Sequence, residues 1–380
     1  MLMADTEKAL QGGKNGAGYG LYVHIPYCRS RCRYCDFYTA AAFEGVPEAY
    51  VDALLRDFAQ YAPQGRGGKP LRPRTVYFGG GTPSLLAAGQ LKRLLAAFAP
   101  TDDAEVTLEA NPESAAPQKL AAWREAGVNR LSLGVQTARD DSLARLGRAH
   151  TARQAGEALV NARAAGFQNI TGDIMLGLQG YTTAEFDETL ALLQEGGAVH
   201  ISAYLLKIEE GTPFAALPAG SFPDAEQAAE FYLYAVRRLA KAGYAQYEIS
   251  NFARPGFAGQ HNLLYWSCEN YLGIGPAAHS CLRGRRLSFG ADTAAFLRGG
   301  LRPEQQGECD QNDYIMLRLR LAEGLLEQEL LRRYGAALTK RQTAFLGRLA
   351  GEGLAKRLPG GWALTPQGML VQNSILAELL

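Results

Sequence analysis

The sequence switches between two hydrophobic periods six times before residue 250, and this alternation restricts the fold more than any other feature. Short β-prone runs occur at 21–25 (LYVHI), 75–78 (TVYF), 105–110 (EVTLEA), 130–136 (RLSLGVQ), 169–175 (NITGDIM) and 200–206 (HISAYLL). Stretches of helical period follow them at about 47–62, 90–99, 117–126, 152–165, 184–195 and 224–242. The first of these puts Tyr50, Leu54, Phe58 and Tyr61 on one stripe behind an opening proline. Parallel strands need a crossover between neighbours, so the repetition predicts an α/β fold with a parallel sheet. Six units are too few for a closed eight-stranded barrel and suit a partial barrel or an open doubly wound sheet. Both architectures gather chemistry at the carboxyl ends of the strands.

That rule can be tested on the residues themselves. The first strand leads into a cysteine-rich loop and the second into GGGTP. The third ends at Glu109, the fourth at Gln136 and the fifth at Asp173, while the sixth runs into Lys207 and Glu209–Glu210. Gly80 and Gly81 let a polar ligand approach backbone amides, and Thr82 adds a hydroxyl. Glu109, Gln136 and Asp173 offer acceptors for an amino group or ribose hydroxyls, and Arg148 can pair with a carboxylate.

Six cysteines are present, and three of them fall within eight residues, at Cys28, Cys32 and Cys35. Thiolates in C-x3-C-x2-C spacing suit a soft metal or an iron–sulfur cluster, and three ligands where four would close the site leave one position open. Arg29, Arg31 and Arg33 add positive charge around them. A zinc-stabilised binding module completed by His24 or His279, or three unligated thiols, are the other readings of the residues alone. Cys268, Cys281 and Cys309 stand singly; Cys281 and Cys309 have no ligand spacing and read as inert. Such cysteine usage points to a reducing, cytoplasmic setting.

The remainder of the chain constrains partners. The formal net charge is +1, which argues against nucleic acid as a general partner. No apolar run is long enough for a transmembrane segment. Residues 1–19 lack the apolar core of a secretory signal and read as a flexible tail. The barrel units occupy 20–250, an aromatic and glycine-rich segment completing the core domain spans 251–300, and a linker near 297–310 leads to a helical domain over 301–380. The helix–helix–turn–strand order of that domain is winged-helix-like. Its basic excess over 331–357 reads as solvated helix faces.

The cysteine spacing, together with YVHIP, GGGTP, EANPES, RLSLGVQ, LGRAH, DIMLGL and IEEGTPF in this order, resembles the radical S-adenosylmethionine superfamily. Within it, the chain is similar to the oxygen-independent coproporphyrinogen III oxidase-like family over about residues 20–380. The resemblance implies a partial (β/α)6 barrel with a small C-terminal, mainly helical domain. It implies a 4Fe-4S cluster on Cys28, Cys32 and Cys35, and S-adenosylmethionine held by Tyr22, Tyr34, Gly80, Gly81, Thr82, Glu109, Gln136, Arg148 and Asp173. Gln179 departs from the proline usual in the family's GLPG turn and touches no implied contact.

Two features separate branches of the family. Its decarboxylating oxidases carry a fourth cysteine two residues beyond the third, where this chain has Phe37. Its haem chaperones carry an H-N-x-x-Y-W motif, which is here His261–Trp266. The resemblance therefore implies haem as a ligand, with His261, Tyr265 and Trp266 as candidate contacts, and acceptor haemoproteins, respiratory ones among them, as partners. An electron donor enters only if the cofactor is cleaved, and a homodimer is compatible with the sequence. On the residues alone, His261 is either an axial ligand or a hydrogen-bonded core histidine, and Cys268 is either a soft axial donor or a buried thiol.

Overall fold

The computed structural model describes residues 18–41, 45–65 and 68–380. Most of the expected tail, 1–19, lies outside the described residues, and Tyr19 is fully buried in the core. All six predicted strands form: β1 Gly20–Ile25, β2 Thr75–Gly80, β3 Glu105–Ala110, β4 Arg130–Gln136, β5 Asn169–Leu176 and β6 His200–Leu205. They pair in parallel in that order, each neighbour joined by a helical crossover. The six predicted helices form too, at Glu48–Tyr61, Ala88–Phe98, Pro117–Ala126, Ala152–Ala164, Thr183–Glu195 and Ala225–Lys241. The result is the open, partial barrel that six units allow.

The strands follow a strict period of two. Leu21, Val23, Val76, Phe78, Val106, Leu108, Leu131, Leu133, Ile170, Ile174 and Ile201 point outward under the helices and form the main apolar core. The alternate positions are polar: Tyr22 and His24, Thr75 and Tyr77, Thr107 and Glu109, Arg130, Ser132 and Gln136, Thr171 and Asp173, His200 and Ser202. Register aligns these inner residues across strands, with Glu109 opposite Ser132, Ser132 opposite Thr171 and Asp173 opposite Ser202. The barrel thus has a polar lumen inside an apolar wall.

Beyond residue 250 the chain is more regular than its sequence predicts. Asn251–Ala253 adds antiparallel to β6, and Tyr271–Ile274 pairs in parallel with β1 on the opposite side. His279–Leu282, Arg285–Ser288 and Glu304–Glu308 then extend one side antiparallel and Ala245–Gln246 adds beside Asn251–Ala253 on the other, giving twelve strands. The expected linker at 297–310 therefore carries a sheet-edge strand. Glycine and polar content masked these strands, because edge strands need little apolar surface. The C-terminal segment has its own core, built on Ile315, Leu330, Leu346, Trp362 and Leu376. Helices Gln311–Arg318, Glu327–Tyr334 and Lys340–Gly351 pack with a small sheet in which Ala355–Leu358 and Gly361–Leu364 form a hairpin, and the predicted last helix is divided at Val371. Of the basic run, Arg332, Arg333, Arg348 and Arg357 pair with Glu329, Glu269, Glu378 and Glu327. Those charges are engaged within the fold.

Candidate functional site

A cavity of about 450 Å³ opens at the carboxyl ends of the strands. Cys28, Cys32 and Cys35 line it together, each partly exposed, from the loop after β1. The guanidinium of Arg148 crosses from the opposite wall, with Nη1 3.5 Å from the Cys32 Sγ and Nη2 donating to Asn111 Oδ1 at 2.8 Å and to the Gly134 carbonyl at 2.9 Å. Among the described arginines, it is Arg148 that donates to a cluster-loop sulfur, whereas the Arg31 Nε donates to the Cys35 carbonyl. The Thr82 hydroxyl lies 3.4 Å from Cys28 Sγ. Burial pushes the Cys28 and Cys35 thiols up, so a metal that binds here has to displace protons.

Glycine is required where the loop after β2 bends. Gly80 has φ +114°, and a Cβ there would lie 2.6 Å from the His24 ring; a Cβ on Gly81 would lie 2.7 Å from the Pro26 carbonyl oxygen. Below this bend, the Glu109 carboxylate accepts from the Tyr77 hydroxyl at 2.6 Å and the Gly80 amide at 3.2 Å. Burial raises Glu109 to about 7, against the pull of the Tyr77 hydrogen bond, and Asp173 adds to the rise. Asp173, which accepts from Ser132 at 3.2 Å, is raised by burial to about 6. Gln136 reaches the cavity from a left-handed residue, φ +67°, where the β4–β5 register slips. The rim is thus a row of acceptors facing Arg148 and three thiols.

Of the residues proposed from sequence, Tyr34, Gly80, Gly81, Thr82, Glu109, Gln136, Arg148 and Asp173 line this cavity with the three cysteines. Tyr22 does not: its hydroxyl is bonded to His24 Nδ1 at 2.9 Å, deeper in the lumen. The sequence reading missed Tyr77, Asn111, Arg130, Ser132, Ser202 and Asn262, which also line it. Strand parity could have found most of them, since they share the inner face with Glu109 and Asp173. Phe37, 63 % exposed, lines the cavity beside the cysteine loop.

The His261 motif lies elsewhere. Helix Gln260–Trp266 closes the lumen at the amino ends of the strands, with the Glu105 carboxylate accepting from the amides of Gln260 and His261 at 3.1 and 3.0 Å. His261 is 1 % exposed and stacks on Tyr77 with ring centroids 5.2 Å apart. Its Nδ1 meets the Thr75 hydroxyl at 2.7 Å and its Nε2 the Tyr265 hydroxyl at 2.6 Å. Burial, with Arg130 nearby, lowers its pKa to about 3, so the ring is neutral. The Arg320 guanidinium lies over the Trp266 ring at 4.4 Å, and the Trp266 indole N–H has no hydrogen-bond partner among the described residues. This differs from an open ligand: both His261 nitrogens are already bonded, and of the motif Asn262 is the residue that reaches the cluster cavity. Cys268 is no isolated thiol either, because Cys281 and Cys309 gather beside it.

Comparison with known proteins places this geometry. The Radical SAM superfamily profile matches residues 22–193. A Bacillus subtilis protein named heme chaperone HemW is 34 % identical over 375 residues, covering 94 % of this chain and 98 % of the relative. The chain belongs to the HemW family. An Escherichia coli HemW is likewise 34 % identical and covers 95 % of this chain and 97 % of its own. The solved structure of Escherichia coli coproporphyrinogen III oxidase, HemN, described as a radical SAM enzyme, superposes with a TM-score of 0.79 at 22 % identity, over 95 % of this chain and 90 % of that one. That likeness shows the shared α/β fold, a large mixed sheet with helices.

Proposed function

We propose that this HemW-family chain is a haem chaperone: it binds haem, holds an oxygen-sensitive 4Fe-4S cluster with S-adenosylmethionine, and passes haem to acceptor haemoproteins of the respiratory type in a reducing cytoplasm. The near full-length match to proteins named heme chaperone carries the reading. Phe37 beside the cysteine loop supports it against porphyrinogen oxidation, because no fourth thiol stands there.

The rim fits the cluster and cofactor chemically. Cys28, Cys32 and Cys35 would hold three irons and leave the fourth for the cofactor's amino and carboxylate groups, with Arg148 beside the carboxylate and Glu109 and Asp173 as acceptors. Gly80 and Gly81 let the loop after β2 turn beside the cavity, where a side chain on either would meet His24 or the Pro26 carbonyl. When bound, the pair supplies one-electron chemistry, while the residues orient it and exclude water. The intact rim favours a second reading, a radical enzyme that decarboxylates porphyrinogen propionates with an electron donor. Haemin titration and turnover of coproporphyrinogen III by the reduced, reconstituted chain separate the two. A Soret shift with haem retained through gel filtration and no divinyl product is the expected result; turnover without haem retention reverses the assignment.

His261 is proposed as the haem-iron ligand, flanked by Tyr265 and Trp266. Its Nε2 is capped by Tyr265, so ligation requires that hydroxyl to leave. Tyr265→Phe removes a hydrogen bond of about 1 kcal/mol and should tighten haem binding about fivefold. His261→Ala should abolish the ligand's spectral signature. If His261→Ala binds haem as the parent does and only melts lower, by about 2–4 kcal/mol of lost packing and hydrogen bonding, His261 is a core residue pinning its helix.

A further inference from the structure

The three cysteines outside the cluster loop come from distant parts of the chain and converge at one place. Cys268 sits in the turn after helix Gln260–Trp266, its amide on the Tyr265 carbonyl at 3.1 Å and its backbone left-handed at φ +49°. Cys281 lies in strand His279–Leu282, opposite Tyr271 and Arg286. Cys309 follows the edge strand Glu304–Glu308, its amide on the Gly284 carbonyl beside the hairpin turn. The Cys281 and Cys309 sulfurs are 3.1 Å apart, and Cys309 also shares a thiol hydrogen bond with Cys268. Cys281 is 3 % exposed, and the other two are reachable from solvent.

We infer that Cys268, Cys281 and Cys309 form a thiol–disulfide exchange site in which Cys309 is the pivot, Cys281 its first partner and Cys268 its second, with small-molecule disulfides as the oxidant. Among the described residues no group of three or more His, Cys, Asp or Glu side chains that includes these cysteines is placed to hold a metal ion, which favours exchange over metal binding. Two thiolates on one tetrahedral zinc, each about 2.3 Å from the ion, stand about 3.8 Å apart. A disulfide needs about 2.05 Å, a closure of roughly 1 Å that side-chain rotation can supply. The electrostatics agree. Cys309 stands between the other two thiols, and hydrogen bonding to both, with Arg286 nearby, favours the thiolate on it over its neighbours.

The Cys309 thiolate attacks one sulfur of the oxidant and expels one small thiolate, leaving a mixed disulfide. The Cys281 sulfur then attacks Cys309, loses its proton and releases the second small thiol. Two cysteine thiols have lost two electrons and two protons, and the oxidant has been reduced to two thiols. Attack by Cys268 in place of Cys281 ties the turn after the His261 helix to the sheet edge.

The test uses the full-length, cluster-loaded chain exposed anaerobically to oxidised glutathione, then blocked with iodoacetamide and digested without reductant for mass spectrometry. A Cys281–Cys309 cross-linked peptide that dithiothreitol removes is expected. In Cys281→Ser the link should move to Cys268–Cys309, or glutathione should remain on Cys309. In Cys309→Ser crosslinking among the remaining two should drop at least tenfold. Unchanged alkylation of all three cysteines in the parent chain overturns the inference. So does an undiminished Cys268–Cys281 link in Cys309→Ser, or stoichiometric zinc on the trio that survives dithiothreitol. Should a variant fail to fold, the parent chain still decides, because the Cys281–Cys309 link or a glutathione adduct on Cys309 has to form in it.

Discussion

Cys32→Ser should leave the anaerobically reconstituted chain with less than about one iron where the parent holds about four. Two thiolates cannot retain a cluster that three barely enclose, and serine offers a hard, largely protonated oxygen in place of a soft anion. The fold should survive. Cys32 is partly exposed on a loop, and Arg148, which loses its sulfur contact, keeps Asn111 and the Gly134 carbonyl. The loss of stability in the metal-free chain is then below about 1 kcal/mol. Iron and sulfide assays, read beside circular dichroism of the same sample, check both halves. A full complement of iron in Cys32→Ser, or zinc without sulfide in the parent chain, removes the cluster from this loop.

The barrel was legible because its strands and helices differ in hydrophobic period, and the cysteine loop because three cysteines in eight residues have few other uses. The lumen was legible in principle. Arg130, Ser132 and Gln136 stand at alternate positions of β4, but RLSLGVQ reads as an apolar run unless its two faces are separated. What no local pattern could show is convergence over distance. Cys281 and Cys309 are 28 residues apart and meet only because two hairpins fold the sheet edge back on itself. Likewise, no local pattern in the His261 motif could show that Thr75, which is 186 residues away, meets its Nδ1.

Glu109→Gln should stabilise the metal-free chain at pH 8 while weakening its hold on S-adenosylmethionine. A carboxyl whose pKa rises from 4.5 unfolded to about 7 folded keeps its proton in the native chain after the unfolded chain has lost it. Stability therefore falls as pH rises through that window, and Asp173, raised from 3.8 to about 6, acts in the same direction. The shift at Glu109 corresponds to at most about 3 kcal/mol. Glutamine removes this penalty but gives up one of the two hydrogen bonds from Tyr77 and Gly80, about 1 kcal/mol. A net gain of about 1–2 kcal/mol is expected at pH 8 and a loss at pH 4, where both chains are neutral at this position and only the missing hydrogen bond counts. Thermal melts of parent and variant at the two pH values measure it. The cofactor's cationic groups need the anion, so titration of the cluster-loaded variant at pH 8 should show binding weakened about tenfold or more. In the parent, binding should weaken as pH falls from 8 to 6 and Glu109 takes up its proton. Equal melting of parent and variant at pH 8, with unchanged cofactor affinity, would mean that Glu109 is neither strained by burial nor part of the cradle.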